Sequence, residues 1–166
     1  QVLNMDASVA WEKETVVDSN EDTTEKCIKL EFPENLSKVH FIKMTLTEDG
    51  NVISDNFYHR SLEENNYQDW QQLPKVALES ATTVDKNADG TWSAVSVIEN
   101  KTSAPALMIR LNVVGDKDGQ QILPVFYSDN YFSLLPGEKK EIRMNWKDED
   151  TRGNEGKVLI TGYNVE

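Results

Sequence analysis

Hydrophobic and polar residues alternate along most of this chain, and the three-to-four spacing of a helix is nearly absent. In Thr24-Glu-Lys-Cys-Ile-Lys-Leu-Glu-Phe32, strict alternation puts Ile28, Leu30 and Phe32 on one face. Val39 to Thr47 repeats this with Ile42, Met44 and Leu46, and Asn51 to Arg60 answers it across Asp49-Gly50. A period of two marks half-buried strands, and Asp-Gly between two such runs marks a hairpin. Together with a Val-, Trp- and Thr-rich run from Ser8 to Val17, the first sixty or so residues predict about four strands.

The stretch Glu63-Glu-Asn-Asn-Tyr-Gln-Asp-Trp-Gln-Gln72 breaks the pattern. It is polar, lacks β-branched residues and runs into Leu73-Pro74, so it reads as a linker with one helical turn. Beyond it seven strand-like runs follow: 75–84, 91–99, 106–114, 121–127, 131–135, 139–146 and 157–164. Asp89-Gly90, Pro105, Asp118-Gly119, Pro136-Gly137 and Gly153 punctuate them. Leu107, Ile109, Leu111 and Val113 share a face in the third run, as do Ile142, Met144 and Trp146 in the sixth. Seven short alternating strands in about 90 residues match an immunoglobulin-like sandwich.

The predicted fold is therefore all-β, with two tandem immunoglobulin-like β-sandwich modules. Residues 1–62 form a partial module, 63–74 the linker and 75–166 a complete sandwich. Four strands make one sheet but leave its apolar face bare. The first module is accordingly expected to be truncated at its front, with Gln1-Val-Leu-Asn4 reading as the middle of a strand. A bare face and an unpaired edge predict self-association, a homodimer through residues between Gln1 and Arg60.

Ser128-Asp-Asn-Tyr-Phe132 has an echo in Ser54-Asp-Asn-Phe-Tyr58, and each copy follows a polar, Gly-containing turn. Asp and Asn bond their own backbone and bend the chain, so both copies are expected to be corners that lead into an aromatic-anchored strand.

Composition narrows the function classes. No apolar run approaches the length of a membrane-spanning helix. The net charge of −12 opposes nucleic acid and anionic membrane surfaces, because both require clustered Lys and Arg. Cys27, the single cysteine, permits neither an internal disulfide nor a thiolate cluster. The N-terminal residues show no signal-peptide pattern.

Candidate chemistry is sparse. His40 and His59 both fall in strands whose alternations carry aromatics, so they read as packed residues and not as ligands or bases. Asp85-Lys-Asn-Ala-Asp-Gly90 opens like a calcium loop, but position twelve is Ser96 and flanking helices are lacking; a polar hairpin turn is the expectation. Asn35-Leu-Ser37 and Asn100-Lys-Thr102 match the N-glycosylation pattern. Of the four tryptophans, Trp11, Trp92 and Trp146 lie in strand patterns that favour core packing. Trp70, with Tyr67 nearby in the polar linker, is the one placed to offer a flat platform to a sugar ring or to pack between domains. The Asp129-Asn130 corner is read first as a turn cap, with an interdomain or sugar contact as the alternatives. No catalytic residue, metal ligand or cofactor site stands out.

Ile122-Leu-Pro-Val-Phe-Tyr-Ser-Asp-Asn-Tyr-Phe-Ser-Leu-Leu-Pro-Gly-Glu138 and the closing Leu159-Ile-Thr-Gly-Tyr-Asn164 resemble the last immunoglobulin-like domain of certain glycoside hydrolase family 2 enzymes. These are the exo-β-glucosaminidase and mannosylglycoprotein endo-β-mannosidase type. Val39-His-Phe-Ile-Lys-Met-Thr-Leu46 and Ile53-Ser-Asp-Asn-Phe-Tyr58 resemble the end of the preceding immunoglobulin-like domain. The resemblance implies the tail of such an enzyme, whose two catalytic glutamates lie on a (β/α)8 barrel and match no position here. It implies a non-catalytic accessory region bracing that barrel within its own full-length chain, with export to the periplasm or cell exterior. It does not separate a glucosaminide from a mannoside substrate. An independent carbohydrate-binding module is the alternative, and coplanar, exposed Tyr67 and Trp70 rings would favour it. A cell-surface adhesion protein fits sandwiches in general but not the long motif.

Overall fold

In the computed structural model, which describes residues 1–18 and 20–166, the chain is all-β and divides into two units, Gln1–Leu73 and Pro74–Glu166. Unit 1 is one antiparallel sheet. Its strands are β1 (Val2–Asn4), β2 (Val9–Trp11), β3 (Val39–Glu48) and β4 (Asn51–Ser61), arranged in the order β2-β1-β3-β4. Asp49 and Gly50 both take positive φ (49° and 80°), as the tight primed turn between twisted strands requires, so the Asp-Gly signal did mark the hairpin. Val2–Asn4 is an inner strand, with Val2 opposite Trp11 on one side and Ile42 on the other.

Three expectations for this unit need correction. Among the described residues, 24–32 form no strand; Leu30 packs against the small core of Val2, Leu36 and Ile42, while its charged neighbours stay exposed. Alternation alone cannot make a strand when no neighbouring strand takes up the hydrogen bonds. The run from Ser8 to Val17 pairs only over Val9–Trp11. Ser54–Tyr58 is no corner but the middle of β4, paired with Leu46 through Ile42. The echo of Ser128–Phe132 is thus one of sequence and not of structure.

The shared face of Ile42, Met44 and Leu46 is covered at one end only. Ile42 is buried, whereas Met44 and Leu46 are 43% and 48% exposed. On the opposite face Phe41, Phe57 and His59 meet in edge and tilted contacts with ring centroids 5.2–5.8 Å apart. The 3-10 turn Gln68–Gln72 brings Trp70 to 4.8 Å from the His59 ring, edge-on. The stretch read as a linker therefore folds within unit 1.

Unit 2 contains seven strands where seven runs were predicted. They are β5 (Glu79–Lys86), β6 (Thr91–Glu99), β7 (Ala106–Gly115), β8 (Phe126–Tyr127), β9 (Phe132–Leu134), β10 (Lys139–Lys147) and β11 (Gly156–Thr161). One sheet has the order β5-β6-β10-β8 and the other β11-β7-β9. Inward positions of β6, β7 and β10 supply Trp92, Ala94, Ile98, Ile109, Leu111, Val113, Ile142, Met144 and Trp146 to one core. Regular alternation on β6 and β10 is the direct imprint of that half-buried packing.

The third run departs from strict alternation. Pairing of β7 with β9 shifts register between Ala106 and Ile109, and Met108 takes φ 52°. This bulge turns Ala106 into the core cluster in place of Leu107. Leu107 is buried elsewhere, bonded through its main chain to Asn164 and Tyr163.

Candidate functional site

Unit 1 holds Tyr67 and Trp70. Trp70 is partly buried against His59, Tyr67 is 36% exposed, and the two rings lie 5.3 Å apart at 56°. The two rings are not coplanar, as a shared platform for a sugar ring would require. The Tyr67 hydroxyl points back to the His59 carbonyl oxygen at 3.4 Å. The arrangement is a packed aromatic nest whose centre is an imidazole.

Burial depresses the basicity of that imidazole and of His40, because a charged ring loses hydration in such surroundings. Folded unit 1 then binds protons less readily than the unfolded chain. The stability this contributes is present above the ordinary histidine value of 6.5 and is lost as pH falls below it toward the folded values. Urea melts followed by Trp fluorescence should show unit 1 losing stability between pH 7.5 and 5. His59→Phe should weaken that dependence; an unchanged slope in the variant would leave His59 without this role.

In unit 2 the Asp129-Asn130 corner joins β8 to β9. The Asn130 amide acts as a strand residue: its Oδ1 accepts the Leu111 N–H at 2.9 Å and its Nδ2 donates to the Leu111 carbonyl at 3.0 Å. The same Oδ1 accepts from the Tyr131 N–H, and Tyr131 turns the chain at φ 60°. Asp129 accepts the Asn130 N–H and is held by Lys140, whose Nζ lies 2.6 Å from Oδ2. These bonds give the corner the work of a turn cap. The site residues suggested by the sequence thus fall in different units, Tyr67 and Trp70 in one and Asp129 and Asn130 in the other.

A third place was not found from the sequence. At one end of unit 2, a cavity of about 310 Å³ is lined by Lys86, Trp92, Asp148, Asn154 and others. Asp148 Oδ1 accepts the Trp92 indole N–H at 2.7 Å, and Lys86 Nζ sits 2.8 Å from the same carboxylate. Lys86 and the indole, as hydrogen-bond donors, hold the Asp148 carboxyl below its usual range. Lys86, Trp92 and Asp148 stand 6 to 62 positions apart, so only folding reveals the clasp.

The other motifs resolve as local structure. Asp89 Oδ1 accepts from the N–H and hydroxyl of Thr91, closing a polar hairpin across Asn87–Thr91. The Asn100 side chain is fully buried and donates both amide hydrogens, to the carbonyls of Ala104 and Leu134. A glycan there is incompatible with the fold, whereas Asn35 is exposed. Among the described residues, no group of three His, Cys, Asp or Glu side chains is placed to hold a metal ion.

The sequence model of the exo-β-D-glucosaminidase Ig-fold domain matches residues 56–165. The chain belongs to that family. Exo-β-D-glucosaminidases from Arthroderma benhamiae and Hypocrea virens are similar to it, the first 26% identical over 99% of this chain, the second 31% identical over 78%. A crystal structure of an exo-chitosanase from Amycolatopsis orientalis superposes on 80% of the chain with a TM-score of 0.72 and 25% identity. The matched region is 20% of the Arthroderma enzyme, 16% of the Hypocrea enzyme and 18% of the Amycolatopsis chain. This exo-β-D-glucosaminidase Ig-fold region therefore spans a fifth or less of the length of the relatives it matches.

Proposed function

We propose that this chain is a non-catalytic accessory region of a longer exo-β-D-glucosaminidase, and that it braces the catalytic barrel of the same polypeptide. The observation that carries this reading is the family match, together with the fifth or less of each relative that the chain spans. A β-D-glucosaminide is the substrate class of the parent, since the matching family and these relatives carry that name. The chain's own groups support a structural role: Asp89, Asp129 and Asp148 are engaged in turns and a clasp, and Tyr67 and Trp70 are tilted against one another. The tilt favours bracing over an independent carbohydrate-binding module.

The test begins with the open reading frame around this segment, which should encode a barrel-sized upstream region. The parent with and without residues 1–166 is then compared on a chromogenic β-glucosaminide. Removal should lower the temperature of half-inactivation by several degrees while KM stays within about threefold. The isolated chain should not bind chitosan oligosaccharides at millimolar concentration. Unchanged heat resistance with loss of polymer binding would overturn the bracing role and favour the binding module.

A further inference from the structure

One face of the β1–β4 sheet meets a strap of chain, residues 62–73, and not a second sheet. Phe41, Phe57 and His59 share that face, since Phe41 pairs with His59 and Lys43 with Phe57. The strap joins the sheet's approach through one main-chain bond, from the Leu62 N–H to the Lys38 carbonyl at 2.9 Å. Its other main-chain bonds are internal: Asn66 to Glu63, Trp70 to Tyr67 and Leu73 to Trp70.

His59 is where the strap is fastened. Its ring meets Trp70 edge-on at 4.8 Å, and its carbonyl oxygen accepts the Tyr67 hydroxyl. The ion pair of Lys38 with Glu63 at the near end is exposed, and such pairs contribute little. Lifting Trp70 off His59 therefore undoes most of what holds the strap, while the β3–β4 ladder keeps its own hydrogen bonds. Segments held by so few contacts open at the low end of a protein's stability range.

The nest is built for a neutral ring. His59 Nε2 is buried and has no hydrogen-bond partner among the described residues. Around the ring lie Phe41 from β3, Phe57 from β4 and Trp70 from the strap, with the Tyr67 phenol beside them. Lys43 and Asp55 follow farther along the same face, Glu63, Glu64 and Asp69 lie on the strap, and Arg60 falls on the opposite face. No carboxylate bonds Nε2. A proton added there is unpaired and poorly hydrated until Trp70 moves aside and water reaches the ring.

We propose that His59 and Trp70 form an acid-released catch: protonation of His59 frees the strap from a sheet that stays folded. The strap ends at Leu73, the last residue of unit 1, so acid turns a folded joint into a free tether with a reach of roughly 40 Å. Burial holds the His59 imidazole below its ordinary value of 6.5, so the closed strap takes up a proton less readily than the open one. The catch is fully closed above 6.5 and loosens as pH falls below it toward the folded value, the open population rising about tenfold per pH unit.

Amide hydrogen exchange of the 166-residue chain, read by NMR at pH 7.5 and 5.5 and corrected for intrinsic rates, tests the catch. Protection at Trp70 and Leu73 should fall about tenfold between the two. At both values it should lie at least about tenfold below that of the β3–β4 ladder and respond little to low urea, because a local opening exposes little surface. Strap and ladder amides with equal protection and equal urea dependence would mean that unit 1 opens only as a whole, and would overturn the catch. His59→Phe keeps a ring against Trp70 but takes no proton, so strap protection should become the same at both pH values; a persisting fall assigns the effect to another group and overturns the proposal. The His59 ring proton, titrated in the unaltered chain, should show a midpoint below 6.5, and a midpoint at or above that value overturns it without recourse to any variant.

Discussion

Trp146→Ala is expected to lower the unfolding free energy of unit 2 by about 3–5 kcal/mol, read as a fall in the urea midpoint at unchanged slope. The side chain is 2% exposed and stacks on Trp92 with ring planes 3° apart. Its other wall is main chain: a Cβ built at Gly156 would lie 2.3 Å from Cζ2, so the strand passes directly over the indole. A cavity bounded by hydrogen-bonded backbone collapses poorly, which places the cost toward the upper part of the range. Domains of this size hold about 5–15 kcal/mol in all, so the variant should be close to half unfolded under mild denaturant. Trp146→Phe should cost about half as much or less, since the ring fills part of the space. Moreover, the Trp146 indole N–H has no hydrogen-bond acceptor among the described residues, so no bond is lost with it. A change below about 1 kcal/mol in the Ala variant would mean that the site repacks.

The second large effect is expected at Asn164. Its Nδ2 donates to the carbonyls of Pro74 and Pro105, each at 2.9 Å, and its Oδ1 accepts the Leu107 N–H at 2.9 Å. Asn164→Ala leaves three main-chain groups without partners where water enters poorly, each worth about 1–3 kcal/mol when buried unsatisfied. A loss of about 3 kcal/mol follows, with faster amide exchange at Leu107 as its local signature. Asn164→Asp keeps the acceptor but loses both donors and buries a charge, so it should not rescue. Rescue by Asp would show that the Leu107 bond alone matters.

The strands of unit 2 were legible because each inward residue is paid back by a core on the same side; Ile142, Met144 and Trp146 announce β10 without ambiguity. The same rule misreads β7 at its start. Leu107 and Ile109 continue the alternation, and nothing local signals that a bulge at Met108 exchanges Leu107 for Ala106. The bulge answers to Asn164, 57 residues away, whose side chain claims the Leu107 N–H. Thr24–Phe32 failed for the opposite reason: its pattern suits a strand, but pairing belongs to a neighbour that a single segment cannot reveal.

The candidate site shows the same division. Asp129 and Asn130 make local bonds to their next neighbours, which residue type suggests, but the bonds to Leu111 and Lys140 appear only with the fold. The clasp of Trp92, Lys86 and Asp148 depends on β6, β5 and the turn after β10 converging at one end of the sandwich. Three common residue types with no shared spacing carry no mark of that convergence. The nest around His59 was half visible, since aromatics share its strand, but the approach of Trp70 required the polar stretch to fold back.

Asn164 also ties the two ends of unit 2 together, beside a parallel bridge in which Val76 donates to Asn164 and Glu166 donates to Val76. In parallel pairing, tension applied at Pro74 and at Glu166 runs along the two segments in opposite directions. The linking bonds are then loaded in shear and resist as a set, where a peeling pull would part them singly. The two ends of the sandwich are thus fastened to each other by a clamp that resists being pulled apart lengthwise.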